Sequence, residues 1–136
     1  MPAKPNLFIV DDEPNVTRTL QLIFEREGYR VRTALSAAEA IAALQNGIKI
    51  DGLIADLNME REDIGLQVAK VACSLKPRPV IVICTGYATV KNTQQALKLQ
   101  VDYLATKPVD PLEMTSTLHR LLQRRNESLK RKEGVW

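Results

Sequence analysis

The sequence is poor in the residues that mark several common classes of protein. Of its 136 residues, two are cysteines, one is a histidine, and aromatic residues make up 4%. Cys73 and Cys84 have neither a C-x-x-C nor a metal-binding spacing, which excludes a redox dithiol or zinc site built from that pattern. Cys84 ends the apolar run 80–84, so we expect a buried thiol and no disulfide.

Long apolar runs are also lacking. No segment approaches the roughly 18 consecutive apolar residues that a membrane-spanning helix requires. The start of the chain, MPAKPNLFIV, does not contain the apolar centre of a secretory signal. We therefore predict a cytoplasmic protein with no membrane association.

Basic charge is concentrated near the end of the chain. The net charge is +3, which alone would suggest nucleic acid binding, but the sequence before residue 118 is nearly neutral. The basic residues after it are Arg120, Arg124, Arg125, Lys130, Arg131 and Lys132. We therefore expect no direct contact with nucleic acid. We predict one domain over 1–124 and a basic C-terminal helix extension or linker over 125–136.

Short apolar runs alternate five times with segments of helical periodicity. The predicted strands cover 7–10, 29–34, 52–56, 80–84 and about 102–106, and a helix follows each of them. This order predicts parallel strands joined by right-handed crossovers. The expected fold is α/β, a flavodoxin-like doubly wound five-stranded parallel sheet in the order 2-1-3-4-5, with five helices.

Local signals place several helix ends. Gly28 follows the first helical pattern and is expected in a left-handed conformation that ends the helix. Ser36 and Glu39 have the spacing of a capping box at the start of the second helix. Asp110 and Pro111 predict the N-cap and first turn of the last helix.

Charged and hydroxyl side chains follow four of the five predicted strands. Asp11 and Asp12 follow the first strand, Asp56 the third, Thr85 the fourth and Lys107 the fifth. Because the carboxyl ends of parallel strands share one edge, these side chains are expected to meet. Three carboxylates about 4 Å apart would repel by roughly 1 to 4 kcal/mol per pair. A magnesium ion, which prefers oxygen ligands, would relieve that repulsion.

The same edge suits an incoming phosphoryl group. Lys107 supplies a cation and Thr85 a hydroxyl donor, and phosphoryl transfer depends mainly on such positioning and charge neutralisation. Asp56 is the candidate nucleophile, which would form an acyl phosphate. Gly86 would let the backbone amide after Thr85 approach the phosphoryl oxygens. Taken singly, each residue has a simpler explanation, such as a helix start for Asp11 or a solvated side chain for Lys107.

The segments FIVDDEP, IADLNM, VIVICTGYA and YLATKPVD resemble response-regulator receiver domains, the phosphoacceptor half of two-component signalling, over about residues 5–124. The resemblance implies that Asp56 accepts a phosphoryl group from a histidine kinase or phosphotransfer protein. It also implies a Mg²⁺ site formed by Asp12 directly, Asp11 through water, Asp56, and the backbone carbonyl of Asn58.

The resemblance further assigns a switch. Thr85 would hydrogen-bond the phosphoryl group and shift inward on activation, and Lys107 would pair with that group. Asn58 and Tyr87, each two residues past a site residue, would tune self-dephosphorylation.

Three features depart from the family pattern. Glu60 follows Met59 where proline is common, and the loop before Gly65 is one residue longer. Leu104 stands where many receivers carry a switching aromatic residue. Tyr103 precedes it and is expected to point to the opposite face of its strand, so the sequence leaves open which of the two acts in the switch.

The leading hypothesis is a phosphorylation-controlled signalling module rather than a turnover enzyme. Its partners would be a kinase and a downstream effector or missing C-terminal output domain, with homodimer formation through the fourth helix, fifth strand and fifth helix. One alternative is a receiver-like interaction module that works without phosphorylation. A phosphohydrolase is a second alternative, weakened because Asn58 replaces the second aspartate of its motif. His119 is interpreted as a solvated helix residue rather than a phosphohistidine carrier.

Overall fold

Five strands and five helices alternate along the chain in a computed structural model that describes residues 4–132. The strands are β1 (Asn6–Val10), β2 (Arg30–Ala34), β3 (Gly52–Asp56), β4 (Val80–Thr85) and β5 (Tyr103–Thr106). The helices are α1 (Pro14–Arg26), α2 (Ala37–Gln45), α3 (Gly65–Cys73), α4 (Val90–Lys98) and α5 (Pro111–Lys132). No helix within 4–132 is long and apolar enough to cross a membrane.

The strands form one parallel sheet in the order β2-β1-β3-β4-β5, so the predicted fold is confirmed. Val10 of β1 is in register with Ala55 of β3, and Asp56 is in register with Cys84 of β4. The residues directly after β1 and at the end of β3 are therefore neighbours at the carboxyl edge of the sheet.

Both faces of the sheet are covered, and this explains why β3 and β4 are buried along their whole length. Leu53 and Ile81 face the layer that contains α2, α3 and α4. Ile54 and Val82 face the layer of α1 and α5, where they pack with Phe24 and other apolar residues. The buried runs of the sequence thus supply two separate hydrophobic layers.

The predicted helix ends are mostly found. Gly28 has a positive φ of 98° after α1. The Ser36 hydroxyl accepts a hydrogen bond from the Glu39 N–H at 3.0 Å, but the Glu39 carboxylate accepts from the Leu35 N–H at 3.3 Å. The predicted capping box is therefore half correct, because the returning bond goes to the residue before Ser36.

Helix α5 is continuous over 22 residues. The Asp110 carboxylate accepts a hydrogen bond from the Leu112 N–H at 3.0 Å, which agrees with its predicted capping role. Arg125 of α5 forms a 3.0 Å ion pair with Asp51, which directly precedes β3 at the amino-terminal edge of the sheet. The predicted division after residue 124 stays a prediction, and residues 133–136 lie outside the described residues.

Candidate functional site

Three carboxylates meet at the carboxyl edge of the sheet. Oxygen atoms of Asp11, Asp12 and Asp56 all lie within 4.8 Å of one another. Asp11 and Asp56 are 4% and 6% exposed, whereas Asp12 is exposed. The adjacency of β1 and β3 causes this clustering, because each strand delivers its aspartate at the same edge.

Lys107 joins the cluster from the far side of β4. Its ammonium nitrogen lies 3.2 Å from Asp11 Oδ2 and 3.3 Å from Asp56 Oδ1. The backbone N–H of Lys107 donates to the backbone carbonyl of Thr85 at 2.8 Å, and this bond holds the start of the β5–α5 loop beside β4. Within residues 4–132, Lys107 is the cation that pairs with this group of three carboxylates, and it contacts two of them, so the site keeps an excess of negative charge.

The charges of this site shift its pKa values. Burial, and then the charge of Asp11, raise the pKa of Asp56 above its usual range, although Lys107 and the Asn58 backbone oppose the shift. Burial would lower the pKa of Lys107, but the charges of Asp56 and Asp11 outweigh it and raise that pKa. Burial raises the pKa of Cys84, next to the site, to about 12. That thiol is therefore uncharged at neutral pH.

The donor set fits a hard divalent cation. Asp11, Asp12 and Asp56 offer carboxylate oxygens, and no histidine or thiolate lies among the three clustered ligands. Oxygen donors with excess negative charge are the ligands that Mg²⁺ and Ca²⁺ prefer. The side chain of Asn58 is engaged elsewhere, since its Oδ1 accepts a hydrogen bond from the Asp63 N–H at 2.7 Å. Its backbone carbonyl stays a predicted metal ligand.

Thr85 lies at the end of β4, but its hydroxyl is used locally. The side chain is fully buried, and the hydroxyl donates to the Tyr87 carbonyl at 3.1 Å and accepts from the Tyr87 N–H at 3.0 Å. Within the contacts of residues 4–132, this hydroxyl therefore bonds the β4–α4 loop and not Asp56. Gly86 follows it, and a Cβ there would meet nothing within 4 Å.

Gly65, at the start of α3, supports the site in a way that sequence reasoning missed. A Cβ at this position would lie 2.2 Å from the Asp56 carbonyl oxygen and 2.8 Å from the Leu57 Cα. The Gly65 N–H also donates to the Leu57 carbonyl at 2.8 Å. Only a glycine lets α3 press this closely on the end of β3, and a glycine preceding a helical pattern was the available signal.

Glu60 has a structural partner that the sequence did not reveal. Its carboxylate accepts hydrogen bonds from the Ala37 and Ala38 N–H groups, at 2.8 and 3.1 Å, at the N-terminus of α2. Partial burial opposes ionisation, but these bonds, one from its own backbone and the charge of Arg61 outweigh it and lower the pKa of Glu60. The carboxylate thus anchors the β3–α3 loop to a helix start, where negative charge is favoured.

Tyr103 and Leu104 point to opposite faces of β5, as strand alternation predicts. The Tyr103 hydroxyl donates to Glu113 Oε1 at 3.2 Å, and the ring packs against the layer of α1 and α5. Leu104 packs against the other layer, the one that contains α3 and α4. The tyrosine is therefore on the side of the sheet away from α4.

A cleft of about 660 Å³ leads to the carboxylates between α1 and the β5–α5 loop. Asp11, Asp56 and Lys107 line part of this cleft, and apolar residues such as Val16 and Val109 line the rest. The charged groups of the site thus border a largely apolar cleft.

Comparison with known proteins agrees with this geometry. Residues 7–119 match the family described as the response regulator receiver domain. The chain belongs to this family. Receiver domains act in two-component systems and bind Mg²⁺ at an acidic pocket, and the aspartate cluster of this chain has the composition of such a pocket.

Two curated relatives are much longer proteins. The transcriptional regulatory protein GlrR of Escherichia coli is 36% identical over 111 residues, which cover 81% of this chain and 24% of the relative. The response regulator SaeR of Staphylococcus aureus is 34% identical over 119 residues, or 88% of this chain and 51% of the relative. This receiver domain therefore spans between a quarter and half the length of these relatives.

Solved structures show the same fold. A CheY-like receiver domain protein from Methanospirillum hungatei aligns with a TM-score of 0.85 and 26% identity, covering 92% of this chain and 98% of that chain. A response regulator from Burkholderia pseudomallei aligns with a TM-score of 0.77 and 26% identity, covering 95% and 75%. That structure contains a phosphorylated aspartic acid, a calcium ion and citrate.

Proposed function

We propose that this receiver domain accepts a phosphoryl group on Asp56, with Mg²⁺ bound beside it, and relays the event by a conformational switch. The observation that carries the proposal is the cluster itself. Three carboxylates lie within 4.8 Å of one another, and Lys107 pairs with two of them. An excess of buried negative charge with a single cation is costly unless the site has a cationic ligand to bind.

The chemistry follows from the position of each group. A carboxylate oxygen of Asp56 attacks the phosphorus of a phosphohistidine, the P–N bond breaks, and an acyl phosphate forms on Asp56. Lys107, now beside Asp56, pairs with the transferred phosphoryl oxygens. Asp11, Asp12, Asp56 and the Asn58 carbonyl would hold Mg²⁺, which neutralises charge on the phosphoryl group when bound.

A solved relative supports the choice of acceptor. The Burkholderia pseudomallei response regulator holds a phosphorylated aspartic acid together with a divalent cation. In this chain, Asp56 is the aspartate that is buried, ends a strand and contacts Lys107.

The family also supports the choice of partners. A histidine kinase or phosphotransfer protein would donate the phosphoryl group through the cleft between α1 and the β5–α5 loop. An effector protein or a C-terminal output domain would receive the signal, and homodimer formation through α4, β5 and α5 is one form of that output. The proposal includes a cytoplasmic location, where such kinases phosphorylate their regulators, and no direct contact with nucleic acid or membrane.

The proposed activity is that of a phosphoacceptor with slow self-dephosphorylation, not of a turnover enzyme. A phosphohydrolase of this chemical type uses a second acid two residues past its nucleophile. Asn58 is at that position, and its side chain accepts a hydrogen bond from the Asp63 N–H. Repeated fast turnover on a phosphomonoester would contradict this part of the proposal.

Intact-protein mass spectrometry tests the central step. After incubation with acetyl phosphate and Mg²⁺, the wild type should gain one phosphoryl group, and the gain should need the metal. Asp56→Asn should abolish it, whereas Glu62→Gln, which removes an exposed acid from the same loop, should leave it intact. Labelling of Asp56→Asn at the wild-type level would refute Asp56 as the acceptor.

One observation favours a second function, that of an interaction module independent of phosphorylation. The tyrosine of β5 bonds Glu113 on the face of the sheet away from α4, and Leu104 lies on the face that α4 covers. The aromatic device that many receivers use to report the Thr85 shift is therefore missing. If a captured effector binds Asp56→Asn and the phosphorylated wild type with equal affinity, this second function is the correct one.

A further inference from the structure

Helix α4 is attached to the rest of the domain by very little. Two of its nine residues are buried, Asn92 and Ala96. Tyr87, Val90 and Leu97, which precede or belong to this helix, are each more than two thirds exposed. One of the two buried residues of α4 is therefore a polar side chain, and its hydrogen bonds help to hold the start of the helix.

The side chain of Asn92 bonds in two directions. Its Oδ1 accepts from the Thr89 N–H at 2.8 Å, and together with the bond from the Asn92 N–H to the Thr89 hydroxyl this forms a capping box. Its Nδ2 donates to Asp63 Oδ1 in the β3–α3 loop at 3.4 Å, near the long end of hydrogen-bonding distances. Asn92 is 5% exposed, so little water competes for this bond.

Asp63 continues the connection toward Asp56. It has a positive φ of 59°, a conformation in which aspartate and asparagine are favoured among non-glycine residues. Its N–H donates to Asn58 Oδ1 at 2.7 Å, and Asn58 lies two residues past the proposed phosphoacceptor. Hydrogen bonds thus run from Asn58 through Asp63 to Asn92 at the start of α4.

We infer that Asn92 is a positioning residue of the phosphoacceptor site, acting through Asp63 to hold the Asn58 loop and to couple that loop to α4. The inference rests on the proposed function, since it concerns the response to phosphorylation of Asp56. It supplies a route that needs no aromatic residue in β5, because it passes through the β3–α3 loop and bypasses Leu104.

The chain offers a substitution that breaks one bond of Asn92 and keeps the other. Asn92→Asp retains a carboxylate oxygen for the Thr89 N–H but loses the donor to Asp63 and faces it with like charge. Asp63→Asn combined with Asn92→Asp restores a donor and acceptor with their roles exchanged. Gln94→Glu is the matched control, because it adds the same charge at an exposed position of α4.

The probe is beryllofluoride with Mg²⁺, a non-covalent mimic of the phosphoryl group, and the readout is the change in α4 amide chemical shifts. We expect the wild-type response to fall at least threefold in Asn92→Asp and to recover by at least half in the double variant. Gln94→Glu should respond as the wild type does. The rate of phosphate loss from Asp56 should rise at least twofold in Asn92→Asp, because the Asn58 loop is less firmly held.

Several results would overturn the inference. These are a full response in Asn92→Asp, an equal loss in Gln94→Glu, or no recovery in the double variant. Asn92→Asp could also reduce the hydrogen-exchange protection of α4 by weakening the helix itself. The double variant separates the two explanations, because swapping Asn and Asp between positions 63 and 92 restores the response only if these two side chains act as a specific pair. An unresponsive wild type would refute the proposed function as well, whereas a responsive wild type with a responsive Asn92→Asp refutes the inference alone.

Discussion

Helices α3 and α4 have nine residues each and cover the same face of the sheet, yet they are held to it very differently. Helix α3 buries five residues, among them Val68 and Ala69 at 0% exposure. Helix α4 buries two, one of which is the polar Asn92. Because opening free energies follow buried apolar contact, α3 belongs to the fixed part of the domain and α4 to the part that can move.

The two helices also differ in how they are connected to the site around Asp56. Gly65 lets the start of α3 pack directly against the backbone at the end of β3, so the fixed helix sets the position of Asp56. Helix α4 follows β4 through a loop that begins after Thr85 and contains Tyr87. In the proposed function, a change at Asp56 would therefore occur against a rigid support and would reach a helix that few contacts hold in place. Substitutions in α3, at Asp56 and in α4 test this difference between the two helices.

The largest effect is expected from Gly65→Ala. A Cβ at this position would approach the Asp56 carbonyl oxygen to 2.2 Å, and the neighbouring atoms are backbone that cannot rotate away. We expect a loss of about 2–4 kcal/mol in the free energy of unfolding, measured by urea denaturation, with slower phosphorylation by acetyl phosphate. Unchanged stability would show that α3 is not tightly fixed to β3.

Val68→Ala should have the next largest effect. Val68 is fully buried in α3, so its truncation removes core contacts and leaves a cavity. A loss of about 1–3 kcal/mol is expected by the same denaturation measurement, and α3 amides should exchange more slowly than α4 amides in the wild type. Equal exchange in the two helices would remove the distinction between them.

Asp56→Asn should stabilise the metal-free protein by about 1 kcal/mol, the scale of one screened carboxylate pair. The pKa of Asp56 is raised in the folded state, so lowering the pH from about 7 toward about 4 protonates the folded wild type first and stabilises it. The advantage of the variant over the wild type should therefore shrink as the pH falls. Urea denaturation at several pH values measures it, and an advantage that grows on acidification would contradict the assigned direction.

The smallest effect is expected for Leu97→Ala in α4. Leu97 is 68% exposed, so its truncation should change the free energy of unfolding by less than about 0.5 kcal/mol. If the free energy of binding to an effector changes by more than the free energy of unfolding does, Leu97 is part of an output surface. A stability loss equal to that of Val68→Ala would show that α4 is packed as firmly as α3.

The pattern of buried strands in the sequence predicted both the fold and the grouping of the charged residues. Buried runs such as 80–84 identify strands covered on both faces, and parallel strands bring the residues after β1 and at the end of β3 to one edge. Asp11, Asp56 and Lys107 could therefore be grouped before their distances were known. The roles assigned to them are chemical and stay predictions until tested.

The contacts that sequence reasoning missed depend on the paths of loops. Glu60 bonds Ala37, 23 residues away, and Asn92 bonds Asp63, 29 residues away. No local pattern contains such pairings, although Thr89 and Asn92 do have the spacing of a helix cap. The rotation of the Thr85 hydroxyl toward Tyr87 is a side-chain choice set by the folded loop, which strand periodicity cannot reveal.

The anchoring of Glu60 on α2 bears on any attempt to build hybrid receivers. A loop exchanged on its own would leave the Ala37 and Ala38 amides without their acceptor, or bring a carboxylate to a foreign helix start. The β3–α3 loop and the first turn of α2 are therefore one exchangeable module in this chain, although 22 residues separate Ala38 from Glu60. Grafts that transfer both segments together should keep the edge with the three aspartates in place, while grafts that transfer the loop alone should not.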